Sequence, residues 1–233
     1  MPGLPMSHFY GHINDGIFQT QAEINAHATQ AGAKPGDRRF RDINGDGKVD
    51  ANDRTMIGDP WPDFDYGFAA DASWKGFDVN MSFYGTSGKQ LYDSQGVYLE
   101  TMQGEWNNKT TVLNRWTGPG TSNTLPRAVR GDRNQNNRSQ SDYVLNADFL
   151  RLQNFQIGYT LPQSIIKRVG ARNARIYFNG QNLFTITQYP NYNADTLGGV
   201  GFNDDSGNPL SFGVDTGSTP IPSVYSFGVN LTF

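Results

Sequence analysis

Apolar and polar residues alternate along positions 223–233 of the sequence. One face of this segment carries five apolar side chains, which are Tyr225, Phe227, Val229, Leu231 and Phe233. A period of two residues predicts a β-strand, and a soluble strand packed on a core gives the same pattern. The length suits a tilted membrane strand of about 9–11 residues. An apolar side toward lipid, opposite a small and polar side toward the lumen, is typical of an outer-membrane barrel.

Four further segments predict strands, at about residues 64–74, 77–87, 147–161 and 174–185. The first two are joined by Lys75-Gly76, which predicts a hairpin with a two-residue turn. In the third segment the apolar positions change parity after Leu152, so we expect a β-bulge near Gln153-Asn154. The five segments together predict an all-β, antiparallel fold.

The connections between the predicted strands are alternately short and long. The turn at 75–76 and the connection at 162–173 are short, whereas those at 88–146 and 186–222 are long and rich in Gly, Asn, Asp, Ser and Thr. Outer-membrane barrels have short periplasmic turns and long extracellular loops. We therefore expect an extracellular loop region over 1–63 and C-terminal barrel strands over 64–233. Five strands are too few to close a membrane barrel, which needs about eight.

The composition of the sequence mainly excludes classes of function. The formal net charge is −3 and no basic stripe is present, which argues against binding to nucleic acid. The sequence has no cysteine, so disulfides, thiolate metal sites and a cysteine nucleophile are excluded. No serine-nucleophile motif occurs. The sequence therefore predicts no catalytic residues and no enzyme.

Residues 42–53 form the clearest short motif, an acidic loop of the pattern D-x-N-x-D-G. Oxygen ligands at alternate positions of such a loop suit Ca²⁺. The predicted ligands are Asp42, Asn44, Asp46, the backbone carbonyl of Lys48, Asp50 and Asp53. The last position holds Asp rather than the usual Glu, and no long flanking helices are evident. The alternative is an acidic surface loop that binds no metal tightly, and the sequence leaves both open.

Together these segments resemble the C-terminal part of SusC/RagA-type TonB-linked (TonB-dependent) outer-membrane transporters of Bacteroidetes. The resemblance spans nearly the whole sequence in order. The matching segments are residues 10–20, 36–37, 41–47, 53–55, 57–60, 62–64, 66–67, 75–78, 115–117, 147–152, 157–162, 180–184 and 227–233.

This resemblance implies more than composition or periodicity can give. It implies the antiparallel C-terminal segment of a transmembrane β-barrel of roughly 22 strands, located in the cell outer membrane. It also implies import of glycan oligomers or peptides together with a SusD-like surface lipoprotein, energised by the TonB complex. In that family the plug domain, the N-terminal strands and the part that reaches TonB precede the matched region. We therefore expect a fragment that is not active alone.

The resemblance gives the final strand a second role. Its apolar side chains resemble a signal read by the barrel-assembly machinery, with outer-membrane lipid against the same face; they are Tyr225, Phe227, Val229, Leu231 and Phe233. Substrate-binding residues stay unassigned. The alternative function is a secreted all-β, calcium-dependent glycan-binding module, which would not turn these side chains toward solvent.

Overall fold

The structure, a computed structural model, describes residues 3–104, 107–167, 170–196 and 211–233. The chain divides into two compact units. The unit that we call the loop unit comprises Met1–Trp61, Gln90–Leu145 and Thr196–Ser218. The unit that we call the sheet unit comprises Pro62–Lys89, Asn146–Asp195 and Thr219–Phe233.

Strands dominate both units. Within the described ranges the strands are β1 (Phe9–Gly11), β2 (Asn14–Ile17), β3 (Arg38–Phe40), β4 (Thr55–Gly58), β5 (Phe64–Trp74), β6 (Phe77–Ser87), β7 (Gln90–Asp93), β8 (Val144–Asn146), β9 (Phe149–Thr160), β10 (Asn173–Gln181), β11 (Thr185–Thr187), β12 (Val214–Asp215) and β13 (Val224–Thr232). The α-helices are α1 (Gln21–Ala26), α2 (Ser94–Leu99) and α3 (Gln163–Ile166), with 3₁₀ turns at Ala51–Asp53, Thr110–Asn114 and Ser141–Tyr143. Among the residues that the structure describes, none of the helices has the length and apolar character needed to cross a membrane.

The sheet unit is one antiparallel sheet with the strand order β13-β10-β9-β6-β5, and β11 pairs separately with β9. β5 and β6 form the predicted hairpin. Lys75 and Gly76 have φ values of 49° and 91°, which is the left-handed conformation that a two-residue hairpin turn of type I′ requires at both positions. A non-glycine residue rarely takes this conformation, so the turn depends most on Gly76.

A β-bulge lies where the sequence predicts it. Ser82 pairs with Asn154 and Phe83 pairs with Leu152, which leaves Gln153 as the extra residue on β9. A bulge shifts the alternation by one position. Leu152 and Phe155 therefore face the same side of the sheet although their sequence parity differs.

The strand predicted over 174–185 ends earlier than expected. β10 stops at Gln181, and Asn182 has a left-handed φ of 51°. The chain then re-enters the sheet as β11, which pairs with the residues of β9 that precede the bulge. The predicted single strand is thus wrong in its last part, because a local backbone turn interrupts the weak alternation there.

The loop unit folds from the segments that the sequence predicts as loops. Its strands form three small sheets, β1-β4, β2-β3 and β12-β7-β8. Phe18, Phe40 and Leu91 are fully buried in it. Part of the predicted loop over 186–222 falls on 197–210, which lies outside the described residues. The sequence gives no sign of this packed unit, since its strands are short and its apolar residues are far apart.

Candidate functional site

The first candidate site is the apolar face of the sheet unit. Neighbouring strands align their apolar side chains in rows that cross the whole sheet. One row consists of Trp74, Phe77, Tyr159, Ile176 and Val229; the next consists of Ala72, Val79, Ile157, Phe178 and Phe227. Trp74 is 69% exposed and Phe227 is 83% exposed. A continuous exposed apolar surface of this kind marks contact with a lipid or protein surface.

Four of the five residues of the predicted assembly signal, Tyr225, Phe227, Val229 and Leu231, lie on this same face, and Phe233 follows the end of β13. Tyr225, Phe227, Val229, Leu231 and Phe233 are all exposed. β13 pairs with β10 on one side, and no strand of the described residues pairs with its other edge. Phe178 of β10 lies between two of them, with ring centroids 5.1 Å from Phe227 and 6.3 Å from Tyr225. The signal role itself stays a prediction.

The opposite face of the sheet is polar and carries cross-strand hydrogen bonds. Arg175 on β10 reaches over β9 to form an ion pair with Asp78 on β6, with Nε donating to Oδ1 at 3.0 Å. Gly158 on β9 makes room for this bridge, since a Cβ there would collide with the guanidinium. Asn154 Nδ2 donates to Asn80 Oδ1 at 3.1 Å. This face suits water or a polar solute, whereas the other face suits hydrocarbon.

The second candidate site is the acidic loop at residues 42–53 in the loop unit. Asp42 accepts hydrogen bonds from the backbone N–H groups of Gly45 and Gly47, at 2.7 and 2.9 Å. Asn44 Oδ1 accepts from the N–H of Asp46 at 2.9 Å. Gly45 and Gly47 have φ values of 72° and 81°, a left-handed path that favours glycine. The loop is therefore tightly wound around the first three predicted ligands.

Asp53 joins the two ends of this loop. Its side chain is fully buried. Its Oδ1 accepts from the N–H groups of Ile43 and Asn44, and its Oδ2 accepts from the N–H of Asp50. Burial raises the pKa of Asp53, but these three backbone hydrogen bonds outweigh it, so the net effect lowers the pKa below its usual value. Asp53 thus closes the loop as an ionised carboxylate.

The fit of the loop to a cation is partial. Among the described residues, no three His, Cys, Asp or Glu side chains are grouped so that they could share a metal ion. The predicted set also uses the Asn44 amide oxygen and the Lys48 carbonyl oxygen, which are oxygen ligands of the kind that Ca²⁺ prefers. The wound backbone fits such a site, and calcium binding stays a prediction.

A buried polar cluster in the loop unit is a feature that sequence reasoning missed. Asp37 is fully buried and pairs with Arg127, whose Nε donates to Oδ1 at 2.8 Å. Asn136 Nδ2 donates to the same oxygen at 3.1 Å, and the Lys34 N–H donates to Oδ2 at 2.9 Å. In the sequence this cluster is marked only by the Gly36-Asp37 pair. That pair does not indicate that Asp37 binds Arg127, which lies ninety residues further along the chain.

Comparison with known proteins identifies the family. No family model matches the chain. A TonB-dependent receptor, P3, from Formosa agariphila is 34% identical over 99% of this chain, and the TonB-dependent receptor SusC from Bacteroides thetaiotaomicron is 28% identical over 73% of it. The chain spans only 22% and 16% of the lengths of these two relatives.

A solved structure has the same fold. The RagAB peptide importer in its 'open-open' state matches with a TM-score of 0.72 and 23% identity, over 97% of this chain and 22% of that chain. At this identity the match supports the fold alone, which is that of the C-terminal part of a TonB-dependent receptor barrel. Sequence relatives and fold agree with the resemblance predicted from the sequence. The chain belongs to the SusC/RagA-like TonB-dependent receptors.

Proposed function

We propose that this chain forms the C-terminal barrel segment of an importer in the cell outer membrane. The observation that carries the proposal is the two-faced sheet, with rows of exposed apolar side chains on one side and a hydrogen-bonded polar network on the other. Lipid would cover the apolar face and water would fill the lumen side. Within the part of the chain that the structure describes, the outer edges of β5 and β13 have no partner strand. These edges would then join further strands, because an open edge is not tolerated in a membrane.

The proposed cargo is a glycan oligomer or a peptide, taken up with a SusD-like surface lipoprotein and with energy from the TonB complex. Support comes from the relatives, which are named as TonB-dependent receptors and SusC, and from the solved RagAB peptide importer. We further propose that the apolar side chains of β13 are read by the barrel-assembly machinery. No catalytic step is part of this function.

We also propose that residues 42–53 bind Ca²⁺ in the loop unit. The wound backbone around Asp42 and Asn44 supports this proposal. The proposed ligands remain Asp42, Asn44, Asp46, the Lys48 carbonyl, Asp50 and Asp53. Such a cation would stiffen the loop without taking part in transport chemistry.

The import proposal is tested by deleting the gene in the source bacterium. We expect the protein in the outer-membrane fraction of the parent strain, and we expect the deletion strain to lose accumulation of either a fluorescent glycan oligomer or a fluorescent peptide. Complementation restores uptake, and a protonophore abolishes it because TonB depends on the proton gradient. Recovery of the protein in the culture medium, with uptake of both probes unchanged, contradicts the proposal and favours a secreted glycan-binding module.

A further inference from the structure

A basic cavity lies within the loop unit, next to the acidic loop, with which it shares Asp50. Its volume is about 420 Å³. The lining residues that matter here are His12, Asp50, Arg54, Arg133, Arg138 and Ser139. Cavities of about 300–1,000 Å³ hold small molecules of monosaccharide size or larger. The lining brings together four distant parts of the sequence, around residues 12, 31, 49–54 and 133–139.

The three arginines of this cavity form no ion pair with the described residues, and the carboxylate of Asp132 acts on Arg138 only at longer range. Within the described residues, none of their guanidinium groups lies within 4.0 Å of a carboxylate oxygen. Arg54 Nε donates to the Ala51 carbonyl at 3.1 Å. Arg138 uses two nitrogens, since Nε donates to the Gln135 carbonyl at 3.2 Å and Nη2 donates to the Asn134 carbonyl at 2.5 Å. A guanidinium has five N–H donors. Most of the donors and all three positive charges therefore remain for a ligand.

His12 gives the cavity a buried polar group without a partner. The residue is only 6% exposed, and its Nδ1 has no hydrogen-bond partner. Its backbone is fixed, because its N–H donates to the Ser139 carbonyl at 2.9 Å. Burial, together with the charges of Arg138 and Arg54, lowers the pKa of His12 to about 4.

The negative charge in this cavity is small. Asp50 is the one acidic residue among the lining residues, and its Oδ1 already accepts the Asn52 N–H at 2.7 Å. Arg138 is held in place by the ring of Phe40, whose centroid lies 4.4 Å from the guanidinium carbon. The cavity therefore has a fixed excess of positive charge.

We propose that this cavity binds an oxyanionic group, a carboxylate or a sulfate, carried by a small acidic ligand. Guanidinium groups recognise such groups with paired, charge-assisted hydrogen bonds. The same chemistry occurs in a uronic acid or sulfated sugar and in the free carboxylate of a peptide. The proposal concerns binding to the loop unit and does not rest on import.

Calorimetric titration of the protein purified in detergent tests this site. The probes are sodium glucuronate, N-acetylglycine, sodium sulfate and neutral glucose, at constant ionic strength and with a calcium chelator present so that no bridging cation contributes. We expect at least one oxyanion to bind and glucose not to bind. Glucuronate alone indicates a sugar source, and N-acetylglycine alone indicates a peptide source. No binding by any oxyanion overturns the proposal.

Matched variants assign the binding to the cavity. Arg54→Gln and Arg133→Gln change exposed side chains, and each is expected to weaken binding about tenfold. Arg130→Gln is the control, because Arg130 is exposed, lies three positions from Arg133 and does not line the cavity. We expect its affinity to stay within about twofold of the wild type. An equal loss in Arg130→Gln would mean diffuse attraction by surface charge and would contradict a built site.

Discussion

The two units differ in which side chains they bury and which they expose. In the loop unit the buried set includes Asp37, Asn134, Asn136 and Gln140, which hydrogen-bond within the unit. In the sheet unit the exposed set includes large apolar residues such as Phe227 and Trp74. Buried polar groups are stable only when they are paired, and exposed apolar groups only when something other than water covers them. The loop unit thus holds its stabilising partners within the chain, whereas the apolar face of the sheet unit needs a covering other than water.

The largest expected effect comes from breaking the polar core of the loop unit. Asp37→Ala leaves Arg127 without its carboxylate and removes one of the two acceptors of the Asn136 amide. We expect a loss of about 3–5 kcal/mol in the stability of this unit. Hydrogen exchange at the amides of Phe18 and Phe40 measures the loss locally. The control is Asp15→Ala, which removes a more exposed pair with Arg41 and should cost less than about 1 kcal/mol. Equal effects of the two variants would contradict a stabilising polar core.

The next effect comes from placing a charge on the apolar face of the sheet unit. We expect Phe227→Lys to lower stability in lipid by about 2–4 kcal/mol, because a charge facing lipid loses its hydration. Urea unfolding in lipid vesicles measures this change. Ser226→Lys places the same charge at the neighbouring position, which lies on the opposite face of β13. We expect this variant to leave the stability almost unchanged. If Ser226→Lys is the more damaging variant, the assignment of lipid and lumen faces is reversed.

A third test uses alkaline pH on the buried phenol of Tyr143 in the loop unit. Burial raises the pKa of Tyr143 to about 12. The folded-state pKa lies above the unfolded value of 10.0. The neutral phenol therefore contributes its full share to the stability of the loop unit below pH 10, and this contribution is lost as the pH rises toward 12. The loss is about 2–3 kcal/mol.

The variant Tyr143→Phe removes this titration. We expect this variant to show a smaller fall in stability between pH 10 and 12, because it has no phenol to ionise. Stability is followed by hydrogen exchange within the loop unit as a function of pH. Identical pH profiles for wild type and variant would mean that Tyr143 does not titrate in this range.

The smallest effect concerns the acidic loop. If residues 42–53 bind Ca²⁺, a tenfold excess over Kd stabilises the loop unit by about 1.4 kcal/mol, and a chelator removes this gain. Asp42→Asn with Asp46→Asn should abolish the response. Asp59→Asn is the control, since it keeps an oxygen to accept the Trp61 N–H. A calcium response that survives in the double variant would place the ion elsewhere.

Local sequence patterns predicted the features that depend on neighbouring residues. The long strands, the turn at Lys75-Gly76 and the bulge at Gln153 follow from apolar periodicity and turn chemistry. The break after Gln181 was missed, because the alternation is weak there and Asn182 turns the backbone. The acidic loop was recognised from its D-x-N-x-D-G pattern, and its glycines take the left-handed backbone conformation that such a tight loop uses. The carboxylate of Asp53, however, bonds to the loop backbone in a way that ligand spacing alone does not reveal.

The sequence by itself determined the family, through segments that resemble it along nearly the whole chain. It also determined the antiparallel strands and which side chains share a face, because alternation with a period of two is a local property. Only the tertiary structure decided that the predicted loops form a packed unit, that Asp37 pairs with Arg127, and that His12 lies in one cavity with Arg54 and Arg138. These contacts join positions separated by about forty to more than a hundred residues. Such pairings are set by how the chain packs as a whole, and no local pattern encodes them.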